Sequence, residues 1–237
     1  MKKTVFILTV LLFAFSAPAW VSAQKQKLQY TPYADHKLYH FGFHVGMHAQ
    51  DLILTNNGIT APNGETWFAE LPNYNPGFSV GVIGDLFLNP YMNLRAVPTL
   101  HFGDKTILFK ESTTEEEKQI SLRSNYLDIP LNIKISSMRL NNCRPYVVGG
   151  AYGAIELGQK KGNPILLKPI DYGLEFGLGC TLYLPFVRLA PELKFKFGLT
   201  DILEKNREDL TNEADKIYSN ALSKATTRMI VFTFNFE

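Results

Sequence analysis

Tyr172-Gly173-Leu174-Glu175-Phe176-Gly177-Leu178-Gly179-Cys180-Thr181-Leu182 is the stretch that decides the fold. Tyr172, Leu174, Phe176, Leu178, Cys180 and Leu182 alternate with Gly173, Glu175, Gly177, Gly179 and Thr181. A period of two is the strand signature, because successive side chains point to opposite faces. One face is apolar throughout, and the other is mostly glycine with one acid. The next run repeats this: Val187, Leu189, Pro191, Leu193, Phe195 and Phe197 alternate with Arg188, Ala190, Glu192, Lys194 and Lys196. Ile230, Phe232, Phe234 and Phe236 do the same near the end, as do Leu127 to Ile135 and Phe78 to Leu88.

A soluble sandwich also alternates, and it is the main structural alternative. Three features favour an outer-membrane barrel. The non-apolar face carries glycines and charges of both signs, as a polar lumen would. The runs reach about ten residues, the length a tilted strand needs to cross hydrocarbon, whereas ordinary strands are shorter. Connections alternate between short and long, like periplasmic turns and outer loops. Strands are expected at roughly 39–50, 76–88, 91–102, 122–135, 145–157, 170–184, 187–198 and 227–236. Leu94 to Phe102 matches Val187 to Phe195, with Arg, Pro, Leu and Phe at equal offsets, so strands two–three and six–seven read as one duplicated hairpin. Pro98, Pro130 and Pro191 lie mid-strand, where bulges or gaps are expected. Strand five fits either register.

The expected fold is therefore all-β: an eight-stranded antiparallel transmembrane β-barrel of outer-membrane type, with one short helix in the last outer loop. Residues 1–23 read as a signal peptide, the alternative being an uncleaved anchor: Lys2 and Lys3 precede an apolar stretch, and Val21-Ser22-Ala23 offers a cleavage site. Residues 24–38 form a periplasmic N-terminal segment and 39–237 the barrel. Export places the protein in the outer membrane of a Gram-negative bacterium. The 24 Lys plus Arg and 22 Asp plus Glu leave no basic field for nucleic acid. Cys143 and Cys180 fall toward one end of the molecule, and a disulfide or two buried thiols both remain open.

An eight-stranded lumen is only wide enough for side chains. Asp85, Arg95, Asp128, Lys134, Glu175, Arg188, Glu192, Lys194 and Lys196 are assigned inward, as a salt-bridged plug, with an ion path as the alternative. Gly42, Gly46, Gly77, Gly81, Gly173 and Gly177 make room for them. His36, His40, His44 and His48 fall four apart. On a strand such neighbours stand roughly 13 Å apart, too far for one metal. They are read as lumen residues, and no metal or other cofactor is expected. No catalytic motif or small-molecule substrate is identified; a lipid-modifying enzyme using His36, His40 or His44 with a serine at the rim is the weakest alternative. Asp201 to Glu204 resembles a helix start. Leu203, Leu210, Ala214 and Ile217 then form the stripe of an amphipathic helix that lids the mouth or docks a partner. Loop 110–118 is an acidic tip.

Tyr126-Leu127-Asp128-Ile129-Pro130-Leu131-Asn132-Ile133-Lys134, followed by Arg144-Pro145-Tyr146-Val147-Val148-Gly149-Gly150, resembles the core motif of the PorT family of outer-membrane barrels, with Asp128 where that family usually has Glu. The resemblance spans most of the mature chain. It implies a non-enzymatic part in type IX secretion of surface proteinases and adhesins, with outer-membrane lipid and other secretion subunits as partners. An accessory or assembly role follows, because so narrow a lumen passes no folded protein. The alternative is a generic small barrel for adhesion or envelope stability.

Overall fold

The computed structural model describes residues 30, 35, 37–56, 67–70, 75–111, 117–157, 166–204 and 222–237. Among them are ten strands and no helix. The strands are β1 (Tyr39–Asn56), β2 (Trp67–Glu70), β3 (Asn75–Asn89), β4 (Met92–Ala96), β5 (Thr99–Glu111), β6 (Glu117–Ser136), β7 (Cys143–Glu156), β8 (Ile170–Tyr183), β9 (Arg188–Gly198) and β10 (Leu222–Phe236). Each pairs antiparallel with its neighbours, and β1 meets both β10 and β3, so the sheet closes on itself.

Eight staves make the ring. Arg95 pairs with Asp85 and Asn132, and Thr99 pairs with Gly81 and Asp128. The steps are equal on all three strands, so β4 and β5 are one stave interrupted only at Val97-Pro98. β2 lies against the far end of β5, Trp67 opposite Glu111, beyond the start of β3. One rung can be followed right round the ring. His40 pairs with Asp85, then Arg95, Asn132, Gly150, Glu175, Lys196 and Met229, and returns to β1 at Gln50. That stagger of about ten residues over eight staves sets a strand tilt of about 40°.

The prolines do not produce the expected bulges. Register shifts occur instead between Thr55 and Asn56 and between Phe87 and Asn89. Pro98 leaves a gap in strand assignment, but its carbonyl still accepts from Val82 N at 3.1 Å, and that of Pro130 accepts from Val97 N at 3.4 Å. Pro191 sits inside an unbroken β9, opposite Phe234. A proline removes one donor and leaves its acceptor, which here preserves the register.

Side chains divide cleanly between the two faces. Phe41 is 77% exposed on the outer face, while His44 is 2% exposed inside. Phe43, Met47, Leu131, Ile133, Leu174, Phe176, Leu178 and Phe232 all point outward. An apolar outer face that continues from stave to stave around the ring fits a lipid solvent. In β7 the register left open by the sequence resolves with Tyr146, Val148, Tyr152 and Ala154 inward and Val147 and Ile155 outward. Cys143 and Cys180 form a disulfide between β7 and β8, with Cα atoms 6.4 Å apart, near the end that carries the short turns.

The expected helix does not begin at Asp201. Leu203 bridges to Leu167 in an extended segment, Lys168 N donates to the Ile202 carbonyl, and Asp201 Oδ1 accepts from Leu203 N and Ala225 N. Leu203 is 2% exposed and packs with Leu52, Ile107, Phe109, Leu167, Ile202, Leu222 and Ala225. These residues fill the loop end of the bore. Leu210, Ala214 and Ile217 lie outside the described residues, as do the signal peptide, His36 and most of the acidic loop.

Candidate functional site

The bore is filled by charges that strand alternation delivers from every stave. Arg95 is 1% exposed and acts as one hub. It donates through Nε and Nη2 to Asp85 at 3.0 and 2.9 Å, through Nη1 to Glu192 at 3.3 Å and through Nη2 to Glu237 at 2.5 Å. Lys134 stands 3.8 Å from Asp85, and Arg188 lies 3.2 Å from Glu237. Tyr146 OH donates to Glu192 at 2.7 Å.

Glu175 is the second hub. Lys196 is 3.0 Å from it and Lys194 3.9 Å, and Asn132 Nδ2 donates to it at 2.5 Å. Lys196 also pairs with Asp128. Lys194 joins the two hubs, since it is 3.5 Å from Glu192. The nine residues assigned inward from the sequence thus meet in one network, although Arg188 sits only half-buried at its margin. Glu237 was missed, and it completes a balance of five cations against five carboxylates.

Desolvating ten ions is expensive, and only close partners make it tolerable. The network does so by giving seven of the ten ions two or more opposite charges, with Asp128, Lys134 and Arg188 holding one each. It leaves cavities toward both ends. One lies toward the loops, among Gln50, His101, Lys105, Tyr126, Asp128 and Asp171. One lies toward the turns, among His40, Asp85, Lys134, Arg144, Arg188 and Glu237. Beyond the latter, Asp35 of the N-terminal segment accepts from Tyr183 OH and lies 3.2 Å from Arg144, and Arg139 stacks over the Tyr183 ring.

Two of the inward glycines make room for histidine rings. A Cβ on Gly81 would lie 2.4 Å from His44 Nε2, and one on Gly77 would lie 2.2 Å from His48 Nε2. Gly177 clears Lys194 in the same way, whereas at Gly173 the Phe197 backbone carbonyl lies nearer than the Tyr152 ring. At Gly42 and Gly46 the nearest atoms are instead the backbone carbonyls of Phe236 and Phe232, so it is the β10 backbone that approaches closely. His40 and His44 point into the bore, where His44 Nε2 bonds Thr99 Oγ1 at 3.0 Å, and neither faces lipid as rim chemistry would need. Other inward residues that the sequence did not single out are His101, Lys105, Tyr126, Tyr152 and Asp171. His101 and Lys105 share the phase of Arg95, which is the signal that would have found them.

Residues 22–204 match the protein family described as "Outer membrane protein beta-barrel domain". No curated protein matches in sequence. Among solved structures, the chain is similar to the outer membrane protein OprG from Pseudomonas aeruginosa, at 12% identity and a TM-score of 0.48, covering 83% of this chain and 92% of that one. It is also similar to Ail, the attachment invasion locus protein of Yersinia pestis, at 9% identity and a TM-score of 0.34, covering 83% and 96%. The family match takes in well over half of the chain, from ahead of β1 to the end of the segment that bridges Leu203 to Leu167, and on that ground the protein belongs to the outer-membrane β-barrel domain family.

Proposed function

We propose that this barrel serves type IX secretion of surface proteinases and adhesins as an accessory or assembly component, not as the conduit. The observation that carries the non-conduit part is the charge-balanced network around Arg95 and Glu175, whose ion pairs cross the middle of the bore. A polypeptide could pass only if ten buried ions separated, and each broken pair costs roughly 3–5 kcal/mol. The secretion part rests on the PorT-like motif of Tyr126 to Lys134 and Arg144 to Gly150. In the structure this motif spans β6 and β7, and it supplies Asp128, Asn132, Lys134 and Tyr146 to the network. The resemblance therefore falls on the residues that close the bore.

The test is deletion of the gene with complementation by the intact chain. Secreted proteinases should be lost from the cell surface and retained in the periplasm, and the complemented strain should recover. Normal surface cargo in the deletion strain, accompanied by detergent sensitivity or loss of adhesion, would refute the secretion role and favour a generic envelope barrel.

A further inference from the structure

His48 and His101 belong to staves that are not neighbours. β3 runs between them, with Gly77 opposite His48 and Ser79 opposite His101. The small residues of Gly77-Phe78-Ser79 leave a trench on the inner face, and both imidazoles lean over it. Their rings meet edge to face at 4.9 Å, and the two Nδ1 atoms are 3.4 Å apart. His48 and His101 are each 3% exposed.

The other nitrogen of each ring faces a polar side chain. His101 Nε2 lies 3.5 Å from Asp128 Oδ2, and His48 Nε2 lies 2.9 Å from the Gln50 amide. In the metal-free chain Gln50 donates to His48, His48 Nδ1–H faces His101 Nδ1, and His101 Nε2–H faces Asp128. If the Gln50 amide turns over, so that its oxygen accepts from His48 Nε2–H, both Nδ1 atoms are left as bare acceptors facing each other across 3.4 Å. Two nitrogens bound at about 2.0–2.1 Å to one tetrahedral ion stand about 3.4 Å apart. A carboxylate behind a ligating histidine is the usual outer-shell support.

The surroundings fit the same ligand. Asp128 Oδ1 and Asp171 Oδ1 are buried without a hydrogen-bond partner, and both residues line the loop-side cavity along with His101. Oxygens so placed would accept from ion-bound water. The adverse charges nearby are Lys105 and Lys196, which hold Tyr126 and Asp128 respectively. Among the described residues no group of three or more His, Cys, Asp or Glu converges on one point. Two imidazoles and water are therefore the whole set.

We propose that the bore binds one divalent transition-metal ion of the copper or zinc class through His48 Nδ1 and His101 Nδ1, with water completing its shell. Binding moves the proton that stood between the two rings from His48 Nδ1 to His48 Nε2, where the Gln50 amide oxygen accepts it, so the ring stays neutral and no net proton is lost. The site is distinct from the evenly spaced His36, His40, His44 and His48 series, in which one strand cannot supply two ligands.

The test uses the full mature chain without an affinity tag, refolded in detergent with CuCl2 or ZnCl2 and then desalted. The expected results are one ion per chain and a Cu(II) electron paramagnetic resonance spectrum with coupling to two nitrogens. His48→Gln and His101→Gln should each weaken binding by tenfold or more. His36→Gln with His40→Gln should change nothing. Folding of each variant is followed by its altered gel migration on boiling. Absence of saturable binding by the wild-type chain would overturn the proposal. So would a spectrum with one nitrogen or none, or binding that survives in both histidine variants; the wild-type spectrum decides even if a variant does not fold.

Discussion

Arg95→Met removes the hub cation and leaves three carboxylates behind. Each keeps another partner: Asp85 has Lys134 at 3.8 Å, Glu192 has Lys194 at 3.5 Å and Tyr146 OH at 2.7 Å, and Glu237 has Arg188 at 3.2 Å. The loss is therefore one unbalanced buried charge, not three. Breaking a buried pair costs roughly 3–5 kcal/mol, and the remaining partners put this case near the lower bound. Two controls separate this mechanism from lost packing. Arg188→Met removes a cation at the margin, where the Arg188 side chain is 13% exposed against 1% for Arg95, and should cost under about 1 kcal/mol. Arg95→Met combined with Glu237→Gln restores neutrality and should recover part of the loss. The measurement is equilibrium urea unfolding of the refolded barrel, with folded protein scored by its gel migration before boiling. Equal losses for Arg95→Met and Arg188→Met, or no recovery on adding Glu237→Gln, would refute the reasoning.

Three other perturbations test the architecture. Leu174→Lys puts an ammonium on the outward face of β8 and should cost roughly 2–4 kcal/mol in lipid by the same unfolding assay. Gly81→Val should abolish the heat-modifiable band. Adding His44→Ala should not restore it, because the new Cβ lies 2.4 Å from the Pro98 carbonyl oxygen as well as from His44 Nε2. Cys143→Ser with Cys180→Ser opens a link across a separation of 37 residues and should lower stability by roughly 2–4 kcal/mol. Its urea midpoint should then be insensitive to reductant, while that of the wild-type chain falls.

The barrel was legible because lipid and bore impose opposite preferences on alternate residues, and a run such as Tyr172 to Leu182 carries five or six independent votes for one phase. The same votes fixed Glu175, Lys194 and Lys196, which sit inside long runs. They reach Glu237 too, one place past Phe236 in the same alternation, but it was not read as inward. His101 and Lys105 were missed in the same way, since the alternation that places Arg95 runs on through Pro98 to both of them. Leu203 failed differently. Its spacing to Leu210, Ala214 and Ile217 is helical, yet a backbone bridge to Leu167 and a place in an apolar cluster outweigh local periodicity. The rule that inward means polar also lapses there. Leu52, Ile107 and Phe109 point inward at the loop end and pack against one another like a protein core.

The bore is consequently closed by two seals of different physics placed in series. The charge network closes the middle, and its resistance is electrostatic: it weakens when one member is neutralised. The apolar cluster closes the loop end, and its resistance is the cost of wetting Leu52, Ile107, Phe109, Ile202 and Leu203 together. No single side-chain movement relieves both, since no residue belongs to both groups. A conduit regulated by one gate would have no use for the second seal, and an open pore would have no use for either. Two independent closures suit a barrel whose interior serves stability, leaving its lipid face, its loops and its turn end, where Asp35 ties the N-terminal segment to Arg144 and Tyr183, as the surfaces through which it can act.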